Sequence, residues 1–140
     1  MKPPVAPDAE RSAESAKAFV QYFWAVHNYA YATLDTGPLE EISDADCTFC
    51  RSTVKNISGL REAGTQVEGS RVHAGVLAVP PAEITTGVIV SGTIRQEAAR
   101  LLHEDGTQTT AAAIPSAQSF VSLNWAESHW MVADVAIEES

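Results

Sequence analysis

The chain has 140 residues, 45% of them hydrophobic, and a formal net charge of −9. That length suits one domain with an ordinary core, and the hydrophobic share is that of a globular chain rather than a disordered one. The acidic balance disfavours nucleic acid and anionic lipid as partners, because both are bound through clustered Lys and Arg; the last basic residue is Arg100, and the stretch from Leu101 to Ser140 carries acids only.

Met1 to Arg11 contains Pro3, Pro4 and Pro7 and reads as a disordered linker, with residues 12–140 as a single domain. It lacks the apolar stretch of a signal peptide. Ser12 suits an N-cap, with Glu14 in the first turn of a helix that runs to Thr33. Ala16, Phe19, Phe23, Val26 and Ala30 fall on one face of it, while Lys17, Gln21 and Asn28 form a polar stripe. From Phe19 to Val26 the helix is apolar almost all round, so either the fold or a second copy of the chain must cover it on several sides. Asp35-Thr36-Gly37 breaks the helix, and Pro38 suits the first position of a short one reaching Ile42. Ser43 and Asp44 offer caps for a third helix with the core stripe Phe49 or Cys50, Val54, Ile57 and Leu60, stopped by Gly64.

The two cysteines, Cys47 and Cys50, sit three apart at the start of that third helix. The spacing allows a local disulfide, half a zinc site or a thiol-redox motif. Zinc needs four ligands, and His27, His73, His103 and His129 are scattered singly. A redox centre wants a buried strand before the motif, whereas Leu39 to Asp46 is polar, and Asp44 and Asp46 oppose a lowered thiol pKa. The reading taken is a disulfide that staples one helical turn, with two packed thiols as the alternative. Such a bond persists in an oxidising compartment. The expected location is therefore extracellular or in the cell envelope, with an N-terminal export and lipid-anchoring region removed.

After Gly64 the period changes to two. Val67 to Val79 alternates as one strand ended by Pro80-Pro81, and Ile84 to Arg95 as the next, with Gly87 and Gly92 as bulges or bends. Leu101 to Gln108 reads as a hairpin with Asp105-Gly106 in a type I′ turn. Pro115 interrupts; Ser119 to Trp125 and Trp130 to Ile137 then flank a short turn. Ala74, Val76, Ala78, Val88 and Val90 are expected on the outer sheet face. Three helices followed by about five antiparallel strands make an α+β fold.

This layout resembles the nuclear-transport-factor-2-like superfamily, also called ketosteroid-isomerase-like. The residues that carry the resemblance are the aromatic run Phe19 to Trp24, the short helix after Asp35-Thr36-Gly37, and the closing strand Trp130 to Val135. Cys47-Thr48-Phe49-Cys50 together with Asn28-Tyr29-Ala30 resembles an uncharacterised family of actinobacterial envelope lipoproteins with this fold. The resemblance implies a curved, cone-like antiparallel sheet around the helices, with a pocket inside. Tyr22, His27, Tyr29, Trp125 and Asp134 are the candidates to line it, with Trp24 and Tyr31 beside them. An isomerase-type site would use Asp134 as base with a tyrosine as donor. No Gly-rich phosphate loop, nucleophile elbow or Glu-rich metal cluster is present, and no cofactor is expected. The preferred expectation is a non-enzymatic envelope domain binding a small apolar ligand or a protein partner. The alternatives are a small isomerase or cyclase, or a dimerisation module pairing as a homodimer.

Overall fold

A computed structural model describes residues 1–80 and 87–139. Three helices, α1 (Ala13–Thr33), α2 (Gly37–Glu41) and α3 (Thr48–Glu62), precede seven strands among the described residues. These are β1 (Gln66–Gly69), β2 (Val72–Ala78), β3 (Gly87–Gln96), β4 (Ala99–Leu102), β5 (Gln108–Ala111), β6 (Ile114–Ala126) and β7 (His129–Glu139). All pairings between strands are antiparallel, in a sheet ordered β1-β4-β5 and another ordered β2-β3-β6-β7. The architecture is α+β as expected, with the expected five or so strands divided further into seven.

The first helix begins where the capping residue places it: the Ser12 side chain accepts from the Ser15 amide at 3.2 Å. Its aromatic middle is wrapped by its own chain. Phe23, Val20, Val26 and Ala30 are fully buried, and Trp24 and His27 nearly so. α1 packs on α2 and on β1, β2 and β3, while α3 packs on β7. From the sheet side, β6 supplies Ala117, Ser119, Val121 and Leu123 at a period of two, all buried. Val90 is also fully buried, and Ala74 and Val88 are half-buried against the core, so the outer-face assignment fails for these three; Val76, Ala78 and Ile89 are the exposed ones.

Three local departures from simple alternation shape the sheets. Val67 to Val79 is two strands, not one. Gly69 and Ser70 both have positive φ (76° and 63°), and a Cβ on Gly69 would lie 2.3 Å from the Ala98 carbonyl oxygen, so only glycine fits there. The Ser70 amide donates to Ala98 and the Glu97 amide to Arg71, and the chain changes sheet at this corner. The β2 bulge falls between Ala74 and Leu77, across the ladder from Gly92, rather than on β3 at the glycines. The expected strand start at Ile84 lies outside the described residues. Finally, β7 gains one residue at Ala133, because Ser122 faces Asp134 while Leu123 faces Val132. That shift buries Val132 and Val135 and leaves Asp134 and Ala136 exposed, so Asp134 does not share a face with Trp130 and Val132.

The hairpin turns also resolve. Between β4 and β5 only Gly106 has positive φ (88°); the Gly106 amide donates to His103 and the His103 amide to Thr107. This is a type I turn closed by a left-handed glycine, not type I′. The type I′ loop is at the other hairpin, where Glu127 and Ser128 have φ of 53° and 69° between β6 and β7.

The residues before Ser12 form no helix or strand, yet they touch the domain. The Trp130 indole donates to the Glu10 carbonyl at 3.1 Å and to the Ser15 hydroxyl at 3.2 Å.

Candidate functional site

A cavity of about 200 Å³ lies between α1, α3 and the larger sheet. Helical spacing sets one wall: Trp24, His27 and Tyr31 stand three and four residues apart on α1, and Phe49 and Thr53 four apart on α3. The strands close it with Val72, Ile94, Gln96, Ile114, Ala117 and Ile137. Neither an acid nor a Lys or Arg is among these residues.

The wall is held in place by groups that are already engaged elsewhere. Asn28, next to His27, grips both backbone groups of Val72. Its amide nitrogen donates to the Val72 carbonyl at 2.9 Å, and its oxygen accepts from the Val72 amide at 2.8 Å. The Tyr31 hydroxyl accepts from Asn56 at 2.9 Å. Gln96 donates to the Ser70 hydroxyl at 3.0 Å. Phe49 lies inside the four-residue loop of the cysteine pair, whose sulfurs are at disulfide distance, 2.15 Å.

Four rings meet at His27. Its centroid lies 5.1 Å from Tyr31, 5.3 Å from Trp24 and 5.9 Å from Phe49, the last nearly parallel at 25°. Burial among these rings, with no charged partner, pushes the imidazole down to about 4, so it is neutral at neutral pH. Trp24 Nε1 and His27 Nδ1 are buried and have no hydrogen-bond partner. A buried polar atom left unpaired typically costs about 1–3 kcal/mol; both of these are enclosed in the packing around α1, with under 1 Å² of accessible surface each.

Of the residues expected to line a pocket, His27 does so, as do Trp24 and Tyr31. The others are elsewhere. Tyr22 is half-buried beside Phe19, with ring centroids 5.8 Å apart, and burial and the nearby Glu41 push its hydroxyl pKa up. The Tyr29 hydroxyl donates to Asp35 at 3.2 Å. Trp125 stacks edge-on against Trp130, 4.8 Å away. Asp134 is exposed and sits over the first turn of α3, where its Oδ1 accepts from the amides of Phe49 (3.4 Å) and Val135 (2.9 Å). The cap on α3 is therefore not Ser43 or Asp44. Cys47 holds that position, with its sulfur accepting from the Cys50 amide at 3.1 Å, and Asp134 adds a second acceptor from across the fold.

A second, more open groove of about 480 Å³ runs between α2 and α3 past Glu40, Asp44, Arg51 and Lys55. Its charged side chains Glu40, Arg51 and Lys55 are exposed to water, unlike the uncharged wall of the cavity.

A family model matches residues 2–136. The chain belongs to a family of unknown function, DUF6318. No curated protein matches it. Beyond DUF6318, solved structures share the fold over most of their length. The intermembrane space region of the chloroplast protein ARC6 is 14% identical, with a TM-score of 0.65 over 92% of this chain and 98% of that one. A protein of unknown function with a cystatin-like fold from Nostoc punctiforme is 8% identical, with a TM-score of 0.57 over 92% and 93%. A putative scytalone dehydratase from Novosphingobium aromaticivorans is 13% identical, with a TM-score of 0.51 over 86% and 81%. At such identities the likeness establishes the fold, a cystatin-like one, and nothing about activity.

Proposed function

We propose that this chain is a non-catalytic domain of the cell envelope that holds a small, mainly apolar ligand in the cavity between α1, α3 and the larger sheet. The observation that carries the reading is the cavity wall itself: aromatic and aliphatic, and uncharged. Binding sites have this make-up, apolar with a few polar groups. The isomerase alternative needs a carboxylate base within hydrogen-bond reach of its substrate. Asp134 is instead engaged at the α3 terminus, and a neutral imidazole with a pKa near 4 is a weak base.

The envelope part of the reading is supported by the buried cysteine pair, which suits an oxidising compartment, and by the proline-rich segment as a tether. The lipid anchor of the envelope lipoproteins that the sequence resembles belongs to the same proposal. Fractionation of the source cells tests it: recovery in the cytosol would reject it. Homodimerisation is tested by light scattering. Because the chain covers its own α1, the expected mass is that of one copy, 14.9 kDa. Twice that mass would show a dimer, for which the outer sheet face with its exposed Val76 and Ile89 is the candidate interface.

Toluene tests the cavity. Titrated at millimolar concentration, it should shift the backbone amide resonances of His27, Phe49, Thr53 and Ile94 together. A spectrum unchanged at those residues rejects the ligand-binding reading.

A further inference from the structure

We propose that the open groove between α2 and α3 is a second site, one that takes a short apolar peptide by its two free ends. Arg51 and Lys55 receive the peptide carboxylate, Glu40 and Asp44 its ammonium, and Ala45, Cys50 and Val54 carry its side chains. The site goes beyond the cavity and does not depend on it. α3 gives Phe49 and Thr53 to the cavity, and Cys50, Arg51, Val54 and Lys55 to the groove.

Charge selects the occupant. Arg51 and Lys55 stand four apart on α3 and so share one bank, while Glu40 and Asp44 stand on the other. The two banks do not bridge: among the described residues the ion pairs are Glu14 with Lys17, Glu68 with Arg100, and His73 with Glu97. In a chain of net charge −9, two adjacent cations that engage no acid leave a place for a carboxylate from outside. On the acid bank, Glu40 accepts from the Thr36 hydroxyl at 2.8 Å and Asp44 from the Asp46 amide at 3.0 Å. A carboxylate has two oxygens and several acceptor positions, so each keeps room for an ammonium. A free amino acid holds its two charges on one carbon. Banks too far apart to pair with each other suit charges set farther apart, as at the two ends of a peptide, with an apolar body between them.

The groove is also held open before anything enters. Its volume, about 480 Å³, falls in the range of small-ligand sites. The Asp44 amide donates to the Val132 carbonyl, and the Val132 amide to the Ile42 carbonyl, both at 2.8 Å, so one bank is fixed to β7. The other bank begins at the stapled turn of Cys47 and Cys50 under Asp134. A site already in shape loses little freedom on binding.

Four dipeptides separate these terms: Leu-Leu, its N-acetyl form, its C-terminal amide, and Gly-Gly. Each is titrated up to tens of millimolar while the backbone amide resonances of Ala45, Arg51, Val54 and Lys55 are followed. Leu-Leu should move all four and leave His27 and Ile94, on the cavity wall, in place. The acetyl and amide forms should each bind about fivefold more weakly, the upper range for a surface ion pair, and Gly-Gly should move nothing. The double change Arg51→Gln, Lys55→Gln, at two exposed positions, should weaken Leu-Leu about fivefold and leave the amide form unchanged, a pattern that a merely structural role would not give. An amide form that binds the wild-type chain as tightly as Leu-Leu overturns capture of the carboxylate. An acetyl form that does so overturns capture of the ammonium and makes the groove a site for apolar anions. Equal shifts from Gly-Gly overturn the apolar floor, and no shift from Leu-Leu rejects the site. Each of these failures leaves the toluene result at the cavity, and the reading that rests on it, untouched.

Discussion

His27 should make this protein acid-labile in a defined window. In the unfolded chain its imidazole titrates near the ordinary 6.5, and in the folded chain burial lowers that to about 4. Between those values the unfolded state carries a proton that the native state does not. Stability then rises with pH across the window. The contribution is intact above pH 6.5, falls as the pH drops toward 4, and changes no further below that. The gap from 6.5 to about 4, at 1.36 kcal/mol per pKa unit, amounts to about 3 kcal/mol, a large part of the 5–15 kcal/mol typical of a domain. The comparison to make is with His27→Phe, which keeps a ring among Phe23, Trp24 and Phe49 and cannot titrate. Urea midpoints for both forms, measured from about pH 7.5 to about pH 4, should diverge by about 3 kcal/mol as the pH falls. The carboxyls of Glu97 and Asp105, held low by hydrogen bonds from His73 and Thr107 respectively, lose their contributions in acid too, but they do so equally in both forms. Parallel curves would show that the imidazole is not buried as described, and would remove the argument for an uncharged cavity.

Three further outcomes follow from named contacts. Under denaturing, non-reducing conditions a thiol titration should find no free thiol, and the double change Cys47→Ser, Cys50→Ser should lower stability by about 2 kcal/mol, since the closed loop is short. Asp134→Ala, which removes the acceptor over the first turn of α3, should cost about 1 kcal/mol in chemical denaturation and leave toluene binding unchanged; loss of binding would restore the carboxylate to the site. At the tip of β6 and β7, replacing Glu127 by Asn and Ser128 by Gly should raise stability by about 1 kcal/mol, because both positions have left-handed φ, and a fall in the melting temperature would count against that turn geometry.

Much of this fold can be read from the chain, because its helices announce themselves. Ser12 caps, Gly64 stops α3 with φ of 69°, and the stripe Ala16, Phe19, Phe23, Val26, Ala30 is buried as its spacing requires. The strands were harder, since alternation has no memory of an inserted residue. One extra residue at Ala133 turns Asp134 to the exposed face, and the corner at Gly69 and Ser70 splits a pattern that looks continuous from Val67 to Val79. The cavity was legible in part. His27, Trp24 and Tyr31 share one helical face, but Ile94, Ile114, Ala117 and Ile137 reach it from three strands through long-range pairing that leaves no local signature. In the sequence Asn28 belongs to a polar stripe; only its match to a strand edge reveals the clamp on Val72.

That clamp has a consequence for how the molecule breathes. Hydrogen exchange at most strand amides reports the opening of one sheet. The Val72 amide differs, because its acceptor is a helix side chain. Its protection lasts only as long as α1 stays docked, and Val72 is also a wall of the cavity. One backbone proton therefore serves as a clock for helix–sheet separation, the motion that would admit or release anything held inside.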